Sequence, residues 1–325
     1  MLFTDRFGWE LYRPIGMDWH TEGYWRFESE AVARQFLEPW PSDAPHPDGI
    51  WSARGSVPHP DRRQHMLTIE QARDMKPDLV IATLAENEPG LHRFAQEVGA
   101  HFGIQVGNQG APNIWGAAEF AMLSVTTPGF EPWIPHVTYH QEFSLDVYRH
   151  EWPPSEPDLI ANRVQCITGT PLYRRFRAIS EELPDMRFRW FGHCGEHDAL
   201  YGGDTPVVAD IGDSMRASLA GWQDKRWSDG YGHVVHAWFA VGRPTFVSGR
   251  YYADKLAGRL MEHGVTCYDL DQMSDTEVVA AITELRLLGD RHIEMSGAAA
   301  RRFREVVSFD AEAEAIRAML EGVLA

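Results

Sequence analysis

The hydrophobic pattern is clearest toward the C-terminal end. Phe309 to Leu324 carries apolar residues at 316, 319, 320, 323 and 324 beside acidic ones, which predicts an amphipathic helix. Thr276 to Leu288 and Arg291 to Val307 show the same spacing. Upstream, the pattern predicts Gly232 to Val241 as a helix, Pro244 to Ser248 as a strand, Tyr252 to His263 as a helix and Val265 to Leu270 as a strand. Before these come Arg163 to Ile167 as a strand, Leu172 to Glu182 as a helix, Arg187 to Phe191 as a strand and Ser214 to Leu219 as a short helix. Such alternation implies a parallel sheet covered by helices.

The first half repeats the plan more weakly. Ile69 to Asp74 reads as a short helix, Pro77 to Ala82 as a strand, Gly90 to Gly99 as a helix and His101 to Val106 as a strand, with Val137 to Tyr139 as the last strand of this half. Residues 1–66 have no such period and are broken at Pro39 to Pro47 and Pro58 to Pro60, so a loop-rich lead-in is expected rather than a tidy sheet. Trp9, Trp19, Trp25, Trp40, Trp51 and Trp115 fall in the first 115 residues, as anchors for irregular chain or as platforms for sugar rings. The Pro-rich stretch Trp152 to Pro157 reads as a linker. The expected organisation is α/β with two Rossmann-like domains, 1–155 and 156–307, and a C-terminal helix, 308–325, packing back toward the first.

Composition narrows the partners. With 47 acidic against 30 basic residues the net charge is −17, which gives no general attraction to nucleic acid or anionic membrane. Cys166, Cys194 and Cys267 are widely spaced and form no CxxC pair, so neither a disulfide framework nor a cysteine zinc site is expected. No leader-like N-terminus and no run of about 18 apolar residues occurs. The reading is cytoplasmic, without membrane insertion.

The strongest chemical signal is Ser228-Asp229-Gly230-Tyr231-Gly232-His233, just before a predicted helix. Glycines there let backbone N–H groups and the positive end of the helix dipole approach an anion such as a diphosphate. The stretch resembles the donor-binding element of GT-B glycosyltransferases, in which an acidic residue, Gly, an aromatic residue and Gly open a helix that ends in Ala-x-Gly-x-Pro, here Ala240-Val241-Gly242-Arg243-Pro244. The resemblance implies two domains facing a central crevice, and a nucleotide sugar, UDP- or GDP-linked, as substrate with no tightly bound cofactor. It also implies that Asp229, Gly230, Tyr231, Gly232 and His233 face that donor. A second glutamate that holds the ribose in many relatives is replaced by Ala237, and its neighbour His236 is the expected substitute. A valine at Gly232 is expected to block the diphosphate while leaving the fold largely intact.

Other residues complete the picture. Lys225 and Arg226 are placed to neutralise a leaving diphosphate, and Arg174, Arg175 and Arg177 are candidate phosphate contacts. Gly169-Thr170-Pro171 is expected against the nucleotide. His193-Cys194-Gly195-Glu196-His197 lacks the helix that makes HExxH a metal site, so no metal is expected, and His193 is assigned to base or ribose contact. Polar clusters at Gly16 to His20, Gly107 to Gly110 and Tyr139 to Phe143 supply the candidates for removing an acceptor proton: Asp18, His20, His140 and Glu142.

The first half is also similar to glycosyltransferase-like proteins of bacteriophage genomes, through Gly8 to Gly16, Gly107-Asn108 and Tyr139 to Phe143. That likeness suggests hydroxymethylated pyrimidines in phage DNA as acceptor, with Arg54, Arg62 and Arg63 as a local basic groove. Competing readings are a nucleotide-sugar epimerase on the same fold and a nucleotide- or glycan-binding protein without catalysis. A dehydrogenase is disfavoured, because no GxGxxG follows a first strand with an acidic residue about 20 positions on.

Overall fold

The computed structural model describes residues 12–14, 38–39, 51–53, 64–67, 73–74, 76–82, 88–107, 117–125, 133–163, 170–192, 198–203, 208–226 and 230–325. Contacts divide the chain into two compact units. One takes the described residues up to Glu142 together with Phe309–Ala325, and the other is Phe143–Ser308.

The first unit holds two sheets. Strands β1 (Tyr12–Pro14), β2 (Glu38–Pro39), β3 (Trp51–Ala53) and β4 (Gln64–Leu67) form one of them in the order β1-β4-β3-β2, with β1 parallel to β4 and the other pairs antiparallel. This corrects the expectation of a lead-in without a sheet. Strands of two to four residues carry no readable period, and only pairing with distant partners defines them. Of the early tryptophans only the backbone of Trp51 is described, and of the helix expected at Ile69 to Asp74 only Arg73 and Asp74, which are helical.

The second sheet is wholly parallel: β5 (Leu79–Ala82), β6 (His101–Val106), β7 (Phe120–Leu123) and β8 (His136–Thr138), in that order, with helix α1 (Glu88–Val98) between β5 and β6. Strand β7 has no counterpart in the expected elements. Its four residues are all buried because both faces are covered: Ala121 and Leu123 pack with Leu91 and Phe94 of α1, while Phe120 and Met122 pack with Ile316 and Leu320. A strand buried on both sides loses the alternation by which strands are recognised. Ile316 and Leu320 belong to the last helix, Phe309–Leu324, which thus covers one face of this sheet.

The second unit is built on six parallel strands: β9 (Glu156–Arg163), β10 (Arg187–Phe191), β11 (Tyr201–Gly203), β12 (Ser218–Gln223), β13 (Thr245–Val247) and β14 (Tyr268–Asp269). Their order is β11-β10-β9-β12-β13-β14. Counted from β9 this is 3-2-1-4-5-6, the doubly wound dinucleotide-fold order, which reverses direction between β9 and β12. The helices between and after the strands are α2 (Pro171–Glu182), α3 (Val208–Ala217), α4 (His233–Val241), the single turn α5 (Gly249–Tyr252), α6 (Asp275–Arg286) and α7 (Asp290–Val306). The Phe309–Leu324 helix is then α8. Phe176 and Ile179 of α2 and Val278, Ile282 and Leu285 of α6 pack on Trp190, Trp222 and Phe246 of the sheet. Helix α4 is buried from Val235 to Val241, as a helix apolar all round requires.

In this unit strand β11 has no counterpart among the expected elements, and three expected elements are placed differently. Of the strand placed at Arg163 to Ile167 only Arg163 is described, as the last residue of β9, which begins at Glu156, inside the supposed linker, because Pro157 is tolerated near the start of a strand. The helix placed at Ser214 to Leu219 begins earlier and stops at Ala217, and the next six residues form the central strand β12. The helix placed at Tyr252 to His263 is instead α5 followed by a 3-10 helix, Leu256–Leu260. Successive i to i+3 bonds, Lys255 N to Tyr252 O at 2.9 Å and Gly258 N to Lys255 O at 3.0 Å, run through that stretch.

Candidate functional site

In doubly wound sheets the crevice at the carboxyl ends of the strands, where the order reverses, receives ligands. In the second unit that point lies between the end of β9 and the end of β12. Thr170, the residue before α2, has its hydroxyl engaged as the helix cap, accepting from Tyr173 N at 3.3 Å. Arg163, the last residue of β9, is buried, with its guanidinium carbon 4.4 Å from the centre of the Phe191 ring and a hydrogen bond to Ser214. Burial lowers its pKa to about 10. Neighbouring Asn162 Oδ1 and, on β12, Gln223 Oε1 are buried and have no hydrogen-bond partner among the described residues.

After β12 come Asp224, Lys225 and Arg226. Asp224 is buried and accepts from Ser248 Oγ and from Arg226 Nε, the latter at 3.0 Å. Arg226 also reaches Asp271 at 3.0 Å. Partial burial works against its charge, but the two carboxylates more than offset this and raise its pKa. Arg226 thereby ties the loops after β12 and β14, and its assignment to a departing diphosphate stays a proposal. Half-buried Lys225 keeps that candidacy. Arg175 binds Asp275 at 2.9 Å and the Leu270 and Met273 carbonyls at 2.7 Å, tying α2 to the segment before α6, and exposed Arg177 pairs with Glu181 at 3.0 Å within α2.

The glycine loop leads into α4. Gly230, Tyr231 and Gly232 are buried, while His233 is exposed with its ring 5.4 Å from that of Phe143. Gly232 is the N-cap residue of α4 in the left-handed region, φ 83° and ψ 45°. Gly232 has no side chain with which to cap this helix start, and no acidic residue occupies its first turn. A Cβ on Gly232 would lie 2.8 Å from Ala257 Cβ and 3.1 Å from Tyr252 Cε1. The position is closed by protein as well as by backbone angle, so the expectation that valine there spares the fold is corrected. His236 is fully buried, stacked on Tyr231 with ring centroids 4.2 Å apart, and its Nδ1 lies 2.9 Å from Gly232 O. It packs against the loop through Tyr231 and the Gly232 carbonyl, and its assignment to the ribose stays a proposal.

In the first unit the carboxyl edge of the parallel sheet gathers Gln105, Ser124, Tyr139, Gln141 and Glu142. Gln105 Nε2 donates to the Tyr139 hydroxyl, and Gln141 Nε2 donates to Ser124 Oγ at 3.0 Å. Burial pushes the Tyr139 phenol up to about 12. His140 is 5% exposed and bound through both its backbone N and Nδ1 to Glu312 of α8. Glu142 is half-buried. Sequence reading named neither Ser124 nor Glu312; the latter is 172 residues from its partner, and nothing local signals the pairing. Asp18, His20, Gly169, His193 and Asp229 lie outside the described residues, as do Asn108–Gly110, the rest of the His193–His197 cluster, and Arg54, Arg62 and Arg63.

No family model matches the chain, and no curated protein matches it. Solved structures do. TarM is similar with a TM-score of 0.59 at 9% identity, over 83% of this chain and 63% of TarM. HepE of Anabaena, in complex with UDP and glucose, gives 0.61 at 12%, over 78% of this chain and 79% of that one. Sucrose-phosphate synthase of Thermosynechococcus elongatus gives 0.60 at 9%, over 82% and 87%.

The fold is GT-B.

This chain spans under two thirds of TarM's length, and the likeness is one of fold. In GT-B terms each of the two units carries one wholly parallel sheet, four-stranded in the first and six-stranded in the second. Among the described residues no helix is long and apolar enough to cross a membrane.

Proposed function

We propose that this GT-B protein is a glycosyltransferase that uses a nucleotide sugar, with the donor held by the second unit and the acceptor by the first. The observation that carries the donor assignment is the start of α4. A nine-residue helix opens from a left-handed glycine on the carboxyl side of the sheet, a cap residue without a side chain of its own, and with no acid in its first turn. Such a start favours an anion. Lys225 supplies a cation close in sequence, and the unpartnered acceptors of Asn162 and Gln223 call for polar company at the same edge. Asp229 is retained as a donor contact on the sequence resemblance, and Gly169 and His193 likewise.

UDP is the first nucleotide to test, since HepE is described with UDP and UDP-glucose and the pneumococcal O-GlcNAc transferase GtfA with UDP and GlcNAc. Acceptor activation is assigned to His140 or Glu142, at the carboxyl edge of the first unit, or to Asp18 or His20, which are retained on the sequence reading alone. A DNA acceptor rests on the sequence likeness alone, and a net charge of −17 works against it. The deciding experiment incubates the protein with a panel of nucleotide sugars, with and without hydroxymethylated DNA and simple sugars. Release of UDP together with a glycosylated product supports the proposal. Interconversion of the sugar without release points to an epimerase, and binding without turnover to a non-catalytic protein.

A further inference from the structure

Four polar side chains at the carboxyl edge of the first unit's parallel sheet form one hydrogen-bonded chain. Register places Gln105 of β6 beside Met122 of β7 and Leu123 beside Thr138 of β8, so Ser124 and Tyr139 follow directly beyond the paired residues. Strand alternation puts Gln105, Met122, Ser124 and Tyr139 on one face, the one that α8 covers through Ile316 and Leu320. Gln105 Nε2 donates to the Tyr139 hydroxyl, Tyr139 is bonded in turn to Ser124, and Gln141 Nε2 donates to Ser124 Oγ at 3.0 Å.

The protons in this chain run one way. A hydroxyl has one proton and two lone pairs, and a side-chain amide has N–H donors at one atom and an acceptor oxygen at the other. Ser124 gives its proton to the Val106 carbonyl at 3.3 Å, so toward Tyr139 and Gln141 it only accepts. Tyr139 therefore gives its own proton to Ser124 and accepts from Gln105. Burial, which pushes the phenol up to about 12, keeps that proton in place. Both glutamines must then turn Nε2 toward the hydroxyls, and each has Oε1 left for another donor. Ser124 and Tyr139 are buried, whereas Gln105 and Gln141 are half-buried and neither Oε1 is sealed from solvent. Among the described residues nothing donates to either oxygen.

Two buried hydroxyls thus fix the direction of two carbonyl oxygens at the sheet edge where α/β folds bind ligands. Such oxygens select a ligand that donates. A phosphate diester or carboxylate at neutral pH has no proton to give. It would also meet two carboxylates at this edge, Glu142 next to Gln141 in the chain and Glu312 bound to His140. The hydroxyls of a sugar donate and carry no charge.

We propose that Gln105 Oε1 and Gln141 Oε1 form a sugar subsite that accepts hydrogen bonds from the hydroxyls of a neutral ligand, with Tyr139 and Ser124 as the residues that position them. That this ligand is the glycosyl acceptor rests on the glycosyltransferase reading; that a sugar binds here does not. Nucleic acid is then the wrong substrate class for this edge.

Nitrogen-15 NMR of the full chain, labelled in its glutamine side chains, reads the subsite directly. The two amide signals are identified by their loss in Gln105→Met and Gln141→Met, or in Gln105→Glu and Gln141→Glu where a methionine variant does not fold. Glucose, N-acetylglucosamine, maltose and glycerol are titrated in turn, beside inorganic phosphate, spermidine and a DNA duplex containing hydroxymethylcytosine. At least one neutral probe is expected to shift both signals saturably, while phosphate, spermidine and the duplex leave them in place. Gln105→Met and Gln141→Met should each weaken that binding about three- to tenfold, the contribution of one neutral hydrogen bond. Ser124→Ala should weaken it too, and by less on the Gln141→Met background, a coupling that general loosening of the fold would not produce. Shifts of both signals by phosphate, spermidine or the duplex, no shift by any neutral probe, or full affinity in both methionine variants would each overturn the subsite. Equal losses from Ser124→Ala on the two backgrounds would remove its positioning role. Sugar binding by a protein that turns over no nucleotide sugar leaves the subsite standing and counts against the glycosyltransferase reading instead.

Discussion

Single residues in the glycine loop are held by packing as well as by backbone angle. Gly232 adopts φ 83° and faces Ala257 and Tyr252 at distances a Cβ does not tolerate. Gly232→Val is therefore expected to destabilise the protein by about 2–4 kcal/mol, from backbone strain plus overpacking. Urea denaturation checks this, and a variant as stable as wild type would refute the packing. The two basic residues after β12 should separate in the same way. Lys225→Ala is expected to weaken UDP binding about tenfold through loss of a charge-assisted hydrogen bond. Arg226→Ala, whose partners are Asp224 and Asp271, should change affinity less. Calorimetric titration of both variants with UDP measures the difference, and a larger loss from Arg226→Ala would reverse the assignment. The glycines were legible as a loop from sequence, but their close neighbours come from Tyr252 and Ala257, beyond the end of α4.

At the scale of elements, the β12 strand and helix α7 are joined through a buried histidine. His292 Nε2 lies 3.0 Å from Leu219 O and Nδ1 lies 3.3 Å from Ser296 Oγ, and Trp152 packs on the ring with centroids 4.7 Å apart. A neutral ring protonated on Nε2 satisfies both bonds, donating to the carbonyl and accepting from the hydroxyl. Burial lowers its pKa from 6.5 to about 4. Between those values the unfolded chain binds a proton that the folded protein does not, so this contribution is complete above pH 6.5 and is lost as pH falls toward 4. It amounts to about 2 kcal/mol between pH 7 and pH 5. The expected result is that His292→Gln, though less stable at pH 7, loses about that much less on acidification, as read from urea midpoints at the two pH values. Equal losses would show that His292 is protonated in the folded state. Elements of this kind explain where sequence reading stopped: α2, β10, α7 and α8 have one exposed face and a clear period, whereas β7 and β12 are covered on both sides and have none.

At the scale of the whole molecule, the chain returns to its first unit at the end. Phe309, Ala313, Ile316 and Leu320 of α8 are buried, and Ile316 and Leu320 pack with Phe120, Met122 and Tyr139. Deleting residues 309–325 would uncover that face of the β5–β8 sheet. Hydrogen exchange on the truncated protein is expected to show lost protection in β6, β7 and β8, with β9, β10 and β12 retained, because local stability follows the apolar contacts each region keeps. Uniform loss across both units would show instead that they fold as one cooperative block.

The sequence by itself determined the class of fold, the long amphipathic helices and the glycine loop before α4, because these depend on neighbours within one or two turns. Its periodicities survive wherever an element keeps one face in water. The tertiary structure alone decided the 3-2-1-4-5-6 strand order, the tie of Arg226 to Asp224 and Asp271, the burial of His236 beneath Tyr231 and the clamp of Glu312 on His140. Each of these joins residues that local pattern cannot relate, from the 45 positions between Arg226 and Asp271 to the 172 between His140 and Glu312. A carboxylate on an amphipathic helix reads as solvent-facing until the fold supplies a buried donor for it, and that donor is set by which strands lie beneath the helix.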